Sequence, residues 1–189
     1  MLKLMYITNV PEIASIADRA GVDRIFIDLE RYGKEKRQKN WDSVKSKHSI
    51  SDIPKVKASV KNAQIFVRTD PVFDGFADEL EGVLACRPDV VMLPYFKTVR
   101  EVEIFIKAVD GRARTSILLE TREAAELIDD IISVGGIDEI HIGLNDLSHS
   151  YGKKFLFEEL ADGTVDRLVE RSKAHGIESY GFGGIASLG

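Results

Sequence analysis

The 189-residue chain contains one cysteine, Cys86. That excludes an internal disulfide framework and any site built from several thiolates, and it makes a reducing, cytoplasmic setting the expectation. Long apolar runs are also missing, since nothing approaches the roughly 18 to 20 residues that a membrane helix needs. No membrane partner is expected. A surplus of positive charge is lacking as well: 26 Lys and Arg stand against 31 Asp and Glu, a formal charge of -5. A nucleic-acid footprint is therefore not expected. The opening stretch Met1 to Val10 is short and is soon followed by Glu12, Asp18 and Arg19, so it reads as a first strand and not as a secretory signal. What the chain does have is 44% hydrophobic residues, enough to fill a sizeable core in a single domain spanning residues 1 to 189.

Short apolar runs alternate with longer amphipathic ones, the rhythm of βα units around a parallel sheet. Seven strands are predicted: Lys3 to Thr8, Arg24 to Asp28, Gln64 to Arg68, Val90 to Leu93, Ser116 to Leu119, Glu139 to Ile142 and Ser179 to Phe182. Most lack polar alternation, as strands covered on both faces do. Pro11 to Ala20 opens on a proline and stops at Gly21, a helix signature. Thr98 with Glu101 has the spacing of a capping box, and Arg122 to Val134 repeats apolar residues at helical spacing before Gly135-Gly136. Two closures fit this α/β rhythm, an open doubly wound sheet or a (β/α)₈ TIM barrel. An open-sheet nucleotide binder needs a glycine loop after strand one, and Asn9-Val10-Pro11 supplies none. A complete barrel runs to about 250 residues. The expected fold is thus a TIM barrel that is C-terminally incomplete, with seven βα strands present, strand 8 and helices 7 and 8 absent, and an end at Ser187-Leu188-Gly189.

Polar groups recur where the apolar runs stop: Asp28-Leu29-Glu30-Arg31, Arg68-Thr69-Asp70, Glu120-Thr121-Arg122 and Gly143-Leu144-Asn145-Asp146. In a parallel barrel those C-terminal ends share the rim that carries the active site. Glu120 and Asp146 follow consecutive strands, and two hard oxygen ligands with room for water and substrate suit Mg²⁺, with Mn²⁺ or another divalent cation as its substitute. The competing reading has each capping its own helix or turn. Arg68 can clamp a carboxylate or steady an enolate, or else form an ion pair with Asp28 or Glu30. Asp28 and Glu30 point toward the same end and can orient Arg68 or a metal-bound water. Gly143, Leu144 and Asn145 can offer N–H groups to an anion, or form a plain turn.

Other features decide less. Arg31, Lys34, Lys36, Arg37, Lys39, Lys45 and Lys47 surround Trp41 in one segment, read either as a solvated loop or as an anion-binding lid for a CoA-linked or phosphorylated co-substrate. His48 and His149 are expected at the surface. Either could serve as acid or base, as could Glu30. His141 lies within a strand, His175 ends a helix and Cys86 reads as core. Gly181-Phe182-Gly183-Gly184 lacks the lysine of a phosphate loop and reads as tight turning past strand seven.

The strand-end set resembles the HpcH/HpaI aldolase and citrate lyase family. The resemblance rests on Phe26-Ile27-Asp28-Leu29-Glu30, Val67-Arg68, Met92-Leu93-Pro94, Leu119-Glu120-Thr121-Arg122-Glu123-Ala124, Ile142-Gly143-Leu144-Asn145-Asp146-Leu147-Ser148 and Tyr151-Gly152. It implies a metal-dependent barrel with Glu120 and Asp146 as metal ligands. It further implies that Arg68 contacts a 2-keto acid, that the amides around Leu144 to Asp146 receive its carboxylate, and that Pro94 belongs with the substrate-binding residues. Asp28, Glu30 and Arg68 are the expected catalytic set. The aldolase branch carries a basic histidine where this chain has Arg31, whereas the citrate lyase branch shares the Asp-Leu-Glu stretch without that histidine.

The resulting expectation is a carbon–carbon lyase or aldolase that cleaves or forms adducts of pyruvate-type or oxaloacetate-type 2-keto acids through a metal-stabilised enolate. The alternative is a noncatalytic barrel that binds metal and keto acid but lacks the general base. A homo-oligomer is left open.

Overall fold

The computed structural model describes residues 2–32, 47–155 and 157–183. Most of the basic segment around Trp41, and the end at Ser187-Leu188-Gly189, lie outside the described residues.

The chain forms two compact units. The first comprises Met1–Met92 with Arg112–Arg114, and the second Leu93–Gly111 with Thr115–Gly189. In the first lie β1 (Met5–Ile7), α1 (Pro11–Arg19), β2 (Arg24–Asp28), α2 (Asp52–Ser59), β3 (Gln64–Arg68), α3 (Phe76–Ala85) and β4 (Val90–Leu93). In the second lie α4 (Val99–Val109), β5 (Arg114–Leu119), α5 (Arg122–Glu126), α6 (Ile128–Ser133), β6 (Glu139–Gly143), α7 (Leu144–Ser150), α8 (Glu158–Ala161), α9 (Thr164–Ala174) and β7 (Ser179–Gly183). The strands are parallel and follow one another in chain order in a seven-stranded sheet, the α/β arrangement that the alternation in the sequence predicts. β2, β3 and β4 occupy the predicted residues.

Register in the first unit sets Ile25 beside Ile65, Phe26 beside Phe66 and Asp28 beside Arg68, which brings the polar ends of β2 and β3 level. The core around them is Ile25, Ile27, Ile53, Val56, Ile65, Val67, Phe76, Leu80 and Val83, all nearly inaccessible. Each such side chain contributes roughly 1.5–3 kcal/mol by leaving water. α1 starts on Pro11, whose missing N–H costs nothing at a helix start. Its buried Asp18 then accepts the backbone N–H groups of Lys61, Asn62 and Ala63 at 2.9, 3.0 and 2.7 Å, tying α1 to the turn that feeds β3. Those three donors hold the Asp18 carboxyl below its usual range.

In the second unit α4 has the full capping box, with the Thr98 hydroxyl accepting from Glu101 N–H and the Glu101 carboxylate answering Thr98 N–H. The helix predicted over 122–134 breaks at Leu127 (φ -96°, ψ 13°) into α5 and α6. The two pieces still bury Ala124, Ala125, Ile128, Ile131 and Ile132, so the apolar spacing survives the break. The outermost strands differ from the expectation of cover on both faces. Tyr180 and Phe182 of β7 are 45% and 49% exposed, and Tyr6 and Ile7 of β1 are 47% and 52% exposed. Among the described residues each of these strands pairs along one side only. Among the described residues no helix is long and apolar enough to cross a membrane.

Candidate functional site

In the second unit the pairing of β5 with β6 and of β6 with β7 stacks side chains in level rows. Ser116, Glu139 and Ser179 form one row, and Leu118, His141 and Gly181 the next. Glu120 follows β5 directly and stands level with Gly143 and Gly183. The Glu120 side chain is buried, and its Oε1 accepts the Tyr95 backbone N–H at 2.9 Å. A Cβ on Gly143 would lie 2.8 Å from both Glu120 Cβ and Oε2. Glycine at 143 therefore makes the space that the carboxylate occupies. Tyr95 carries the supporting N–H with φ 47°, a left-handed conformation that costs a non-glycine residue of order 1–3 kcal/mol. Nothing in the residue type of Tyr95 signals that role; its place just after the strand-four end Met92-Leu93-Pro94 is the only cue.

The neighbouring loops hold the same end together. Pro94 is buried at the end of β4. Thr121 Oγ1 donates to the Phe96 carbonyl at 2.8 Å and accepts Ala124 N–H, capping α5. Arg122 N–H donates to Ser150 Oγ at 2.7 Å, joining the loop after β5 to the end of α7. α7 starts at Leu144, so Leu144, Asn145 and Asp146 form its first turn, where N–H groups lack acceptors inside the helix. Leu144 is buried, Asn145 exposed and Asp146 partly exposed. Glu120 and Asp146 thus stand at the C-terminal ends of adjacent parallel strands. Among the described residues no group of three or more His, Cys, Asp or Glu side chains could hold a metal ion. A buried carboxylate packed 2.8 Å from where a Gly143 Cβ would stand, with a second carboxylate after the next strand, is a pair of hard oxygen donors of the kind a divalent cation takes.

The first unit carries a separate polar cluster at the ends of β2 and β3. Arg68 Nε and Nη2 donate to Asp28 Oδ1 and Oδ2 at 2.9 and 2.8 Å, a bidentate fork, while Nη1 lies 3.4 Å from Glu30 Oε2. The Arg68 Cζ sits 5.5 Å from the Phe26 ring centroid. Both ion-pair partners weighed for Arg68 are therefore engaged at once. Their side chains are 3% and 2% exposed against 15% for Arg68, so the guanidinium is the member with an outlet to solvent.

His48, expected at the surface, is buried in this cluster. Its Nδ1 accepts the Asp28 backbone N–H at 3.0 Å, and its carbonyl accepts from the Arg31 guanidinium. With the Nδ1 lone pair engaged, the neutral ring carries its proton on Nε2, the wrong tautomer for a base acting through that nitrogen. Periodicity could not reveal this, because His48 lies outside the helices and strands. His149 is exposed as expected. His175 ends α9 and lies 3.2 Å from Asp129, while Cys86 is half-buried instead of a full core residue.

Asp70 stands in the polar end of β3 noted in the sequence, but its partner Glu79 is a residue that sequence reading did not single out. Asp70 Oδ1 accepts the N–H groups of Arg31 and Tyr32 at 2.5 and 2.6 Å, and Asp70 N–H donates to Glu79 Oε1 at 2.9 Å. Burial and the adjacent Asp70 carboxylate push the Glu79 carboxyl up from 4.5 to about 7. Between those values the folded chain keeps a proton that the unfolded chain has released. The stability supplied by this proton is complete below pH 4.5 and is lost as pH rises through about 7. Glu79→Gln should flatten that dependence, gaining about 1 kcal/mol on the parent between pH 5 and pH 8 after allowance for partial exposure. Urea unfolding midpoints at the two pH values provide the measurement.

Solved structures share the fold at low sequence identity. The HpcH/HpaI aldolase from Desulfitobacterium hafniense DCB-2 superposes with a TM-score of 0.76 at 16% identity, covering 98% of this chain and 79% of that one. Citrate synthase SbnG gives 0.76 at 19%, covering 97% and 77%. The citrate lyase beta subunit from M. tuberculosis, solved with oxaloacetate and magnesium, gives 0.64 at 18%, covering 96% and 78%. None of the curated proteins matches the chain in sequence. Residues 3–182 match the model of the HpcH/HpaI aldolase/citrate lyase family, and the chain belongs to that family.

Proposed function

We propose that the protein is a divalent-metal-dependent carbon–carbon lyase or aldolase acting on small 2-keto acids of the pyruvate or oxaloacetate type. Membership in a family of aldolases and citrate lyases supports lyase or aldolase chemistry at the coarse level. The observation that carries the finer reading is the seating of Glu120: a buried carboxylate, one oxygen fixed by the Tyr95 N–H, the other in the gap left by Gly143, one strand from Asp146. The related citrate lyase subunit, solved with oxaloacetate and magnesium, supports a divalent metal and a small keto acid as the kind of ligands taken.

In this reading Glu120 and Asp146 hold Mg²⁺ or Mn²⁺, and the ion, when bound, draws electron density from the keto oxygen. The first-turn N–H groups after Gly143, on Leu144 and Asn145, receive the substrate carboxylate, and Pro94 lends an apolar wall. On the resemblance alone Arg68 is assigned to the keto acid's charge, and within the first unit Asp28 and Glu30 hold its planar fork in one orientation. The (β/α)₈ class and a single domain are part of the same proposal, as is a CoA-linked or phosphorylated co-substrate.

Incubation with Mg²⁺ and oxaloacetate, or with Mg²⁺, pyruvate and an aldehyde, tests the reading. Formation or cleavage of a carbon–carbon bond that stops on chelation and resumes with added metal is the expected result. Keto-acid binding without turnover would select the noncatalytic alternative.

A further inference from the structure

His141 occupies a position in β6 that neither the ion pairs of the first unit nor the proposed metal ligands account for. Register sets it level with Leu118 and Gly181, one row below Glu120, Gly143 and Gly183 on the same face. Its ring does not stay in its own row. A Cβ on Gly181 would lie 3.3 Å from His141 Nδ1, and a Cβ on Gly183 would lie 2.9 Å from Nε2. The imidazole therefore climbs toward the C-terminal end through space that two glycines leave empty, and Nε2 reaches the row of the metal-ligand candidate. Glu120 Oε2 lies 2.8 Å from the corresponding Cβ position on Gly143, the register partner of Gly183. Those two Cβ positions are about 5 Å apart, the spacing of neighbouring strands. Glu120 and His141 thus bring a carboxylate oxygen and an imidazole nitrogen to one level of one face. The buried Glu139, two residues earlier on that face, stands about 6.6 Å below along the strand. β7 contributes only Ser179 and glycines to this face.

We propose that His141 Nε2 is the proton-transfer group of the site, exchanging a proton with C3 of a 2-keto acid held at Glu120 and Asp146. This assignment rests on the keto-acid reading above. In the enolising direction the C3–H bond breaks, its electron pair forms the C2=C3 bond of the enolate, and the proton passes to Nε2. In the cleaving direction Nε2 takes the hydroxyl proton as the carbon–carbon bond breaks and the carbonyl product forms, then returns that proton to C3 of the enolate. Nothing is consumed beyond substrate. Sequence periodicity hides such a residue, because an inward histidine in a strand reads as core; the cue is the glycine at both facing positions of the next strand.

The test is exchange of pyruvate methyl protons in D₂O with Mg²⁺, followed by NMR, alongside pyruvate affinity measured by calorimetry. His141→Gln should slow exchange at least about 100-fold while binding changes less than about threefold. Gly183→Ala is the second variant. Its new methyl meets only the far end of the imidazole, so the fold is retained while Nε2 is displaced, and exchange should fall by a similar factor. His141 ring ¹⁵N shifts that move on adding pyruvate with Mg²⁺ in the parent protein, and do not move in Gly183→Ala, are the readout independent of turnover. Parent exchange that persists in both variants overturns the assignment of His141 and leaves the keto-acid reading intact. A parent chain that neither binds nor exchanges pyruvate overturns both.

Discussion

Glu120→Gln is expected to lower metal-dependent carbon–carbon bond cleavage by at least about a thousandfold, a barrier increase of about 4 kcal/mol. Glutamine is chosen over alanine because its side-chain oxygen can still accept the Tyr95 N–H that Glu120 Oε1 receives at 2.9 Å, so the left-handed turn at Tyr95 keeps its partner. What disappears is the anionic oxygen a divalent cation requires. Metal affinity should fall together with turnover, and a thermal melt should move little. Initial rates over a range of Mg²⁺ concentration, read beside a calorimetric metal titration, separate these quantities. Unchanged turnover would remove Glu120 from the chemistry, and the proposed function with it.

The largest change in stability is expected at Arg68. Replacing it by methionine leaves the side chains of Asp28 and Glu30, 3% and 2% exposed, without the cation that both face. Breaking a buried ion pair from one side costs about 3–5 kcal/mol, because the orphaned charge is worse placed than either the intact pair or a neutral substitute. For a chain of this length the melting temperature should drop on the order of 10 °C. Arg68→Lys restores the charge but not the fork, so it should recover only part of the loss. Adding Asp28→Asn and Glu30→Gln to Arg68→Met should recover more. Urea midpoints at unchanged slope discriminate these outcomes. A methionine variant as stable as the parent would show that the cluster exists for substrate charge alone.

The strands were the most legible part of the molecule, because runs such as Ile25-Phe26-Ile27 and Val90-Val91-Met92 are buried on both faces and leave no competing period. The α4 capping box was equally plain, since its two hydrogen bonds depend on residues three apart. Leu127 was not, because the break between α5 and α6 leaves the apolar spacing unchanged. Candidate site residues at strand ends, Glu120, Asp146 and Arg68, could be picked out because a parallel sheet gathers those ends. Groups that reach the ends from elsewhere could not. His48 lies outside the helices and strands, Glu79 acts through Asp70, and Tyr95 contributes a backbone N–H that any residue type but proline could supply. Long-range partnership of this kind has no periodic trace in one sequence.

The gap at Gly143 also bears on how this chain can vary over time. Because Glu120 Cβ and Oε2 sit within 2.8 Å of where a side chain at 143 would begin, the two positions cannot drift independently. A lineage that retains glutamate at 120 is barred from alanine at 143, whereas one that has lost the whole side chain at 120, Cβ included, gains latitude there. Mutational tolerance at 143, scored separately in backgrounds with glutamate and with glycine at 120, should therefore differ in kind, and the epistasis would be legible in descendants long after the catalytic need had gone.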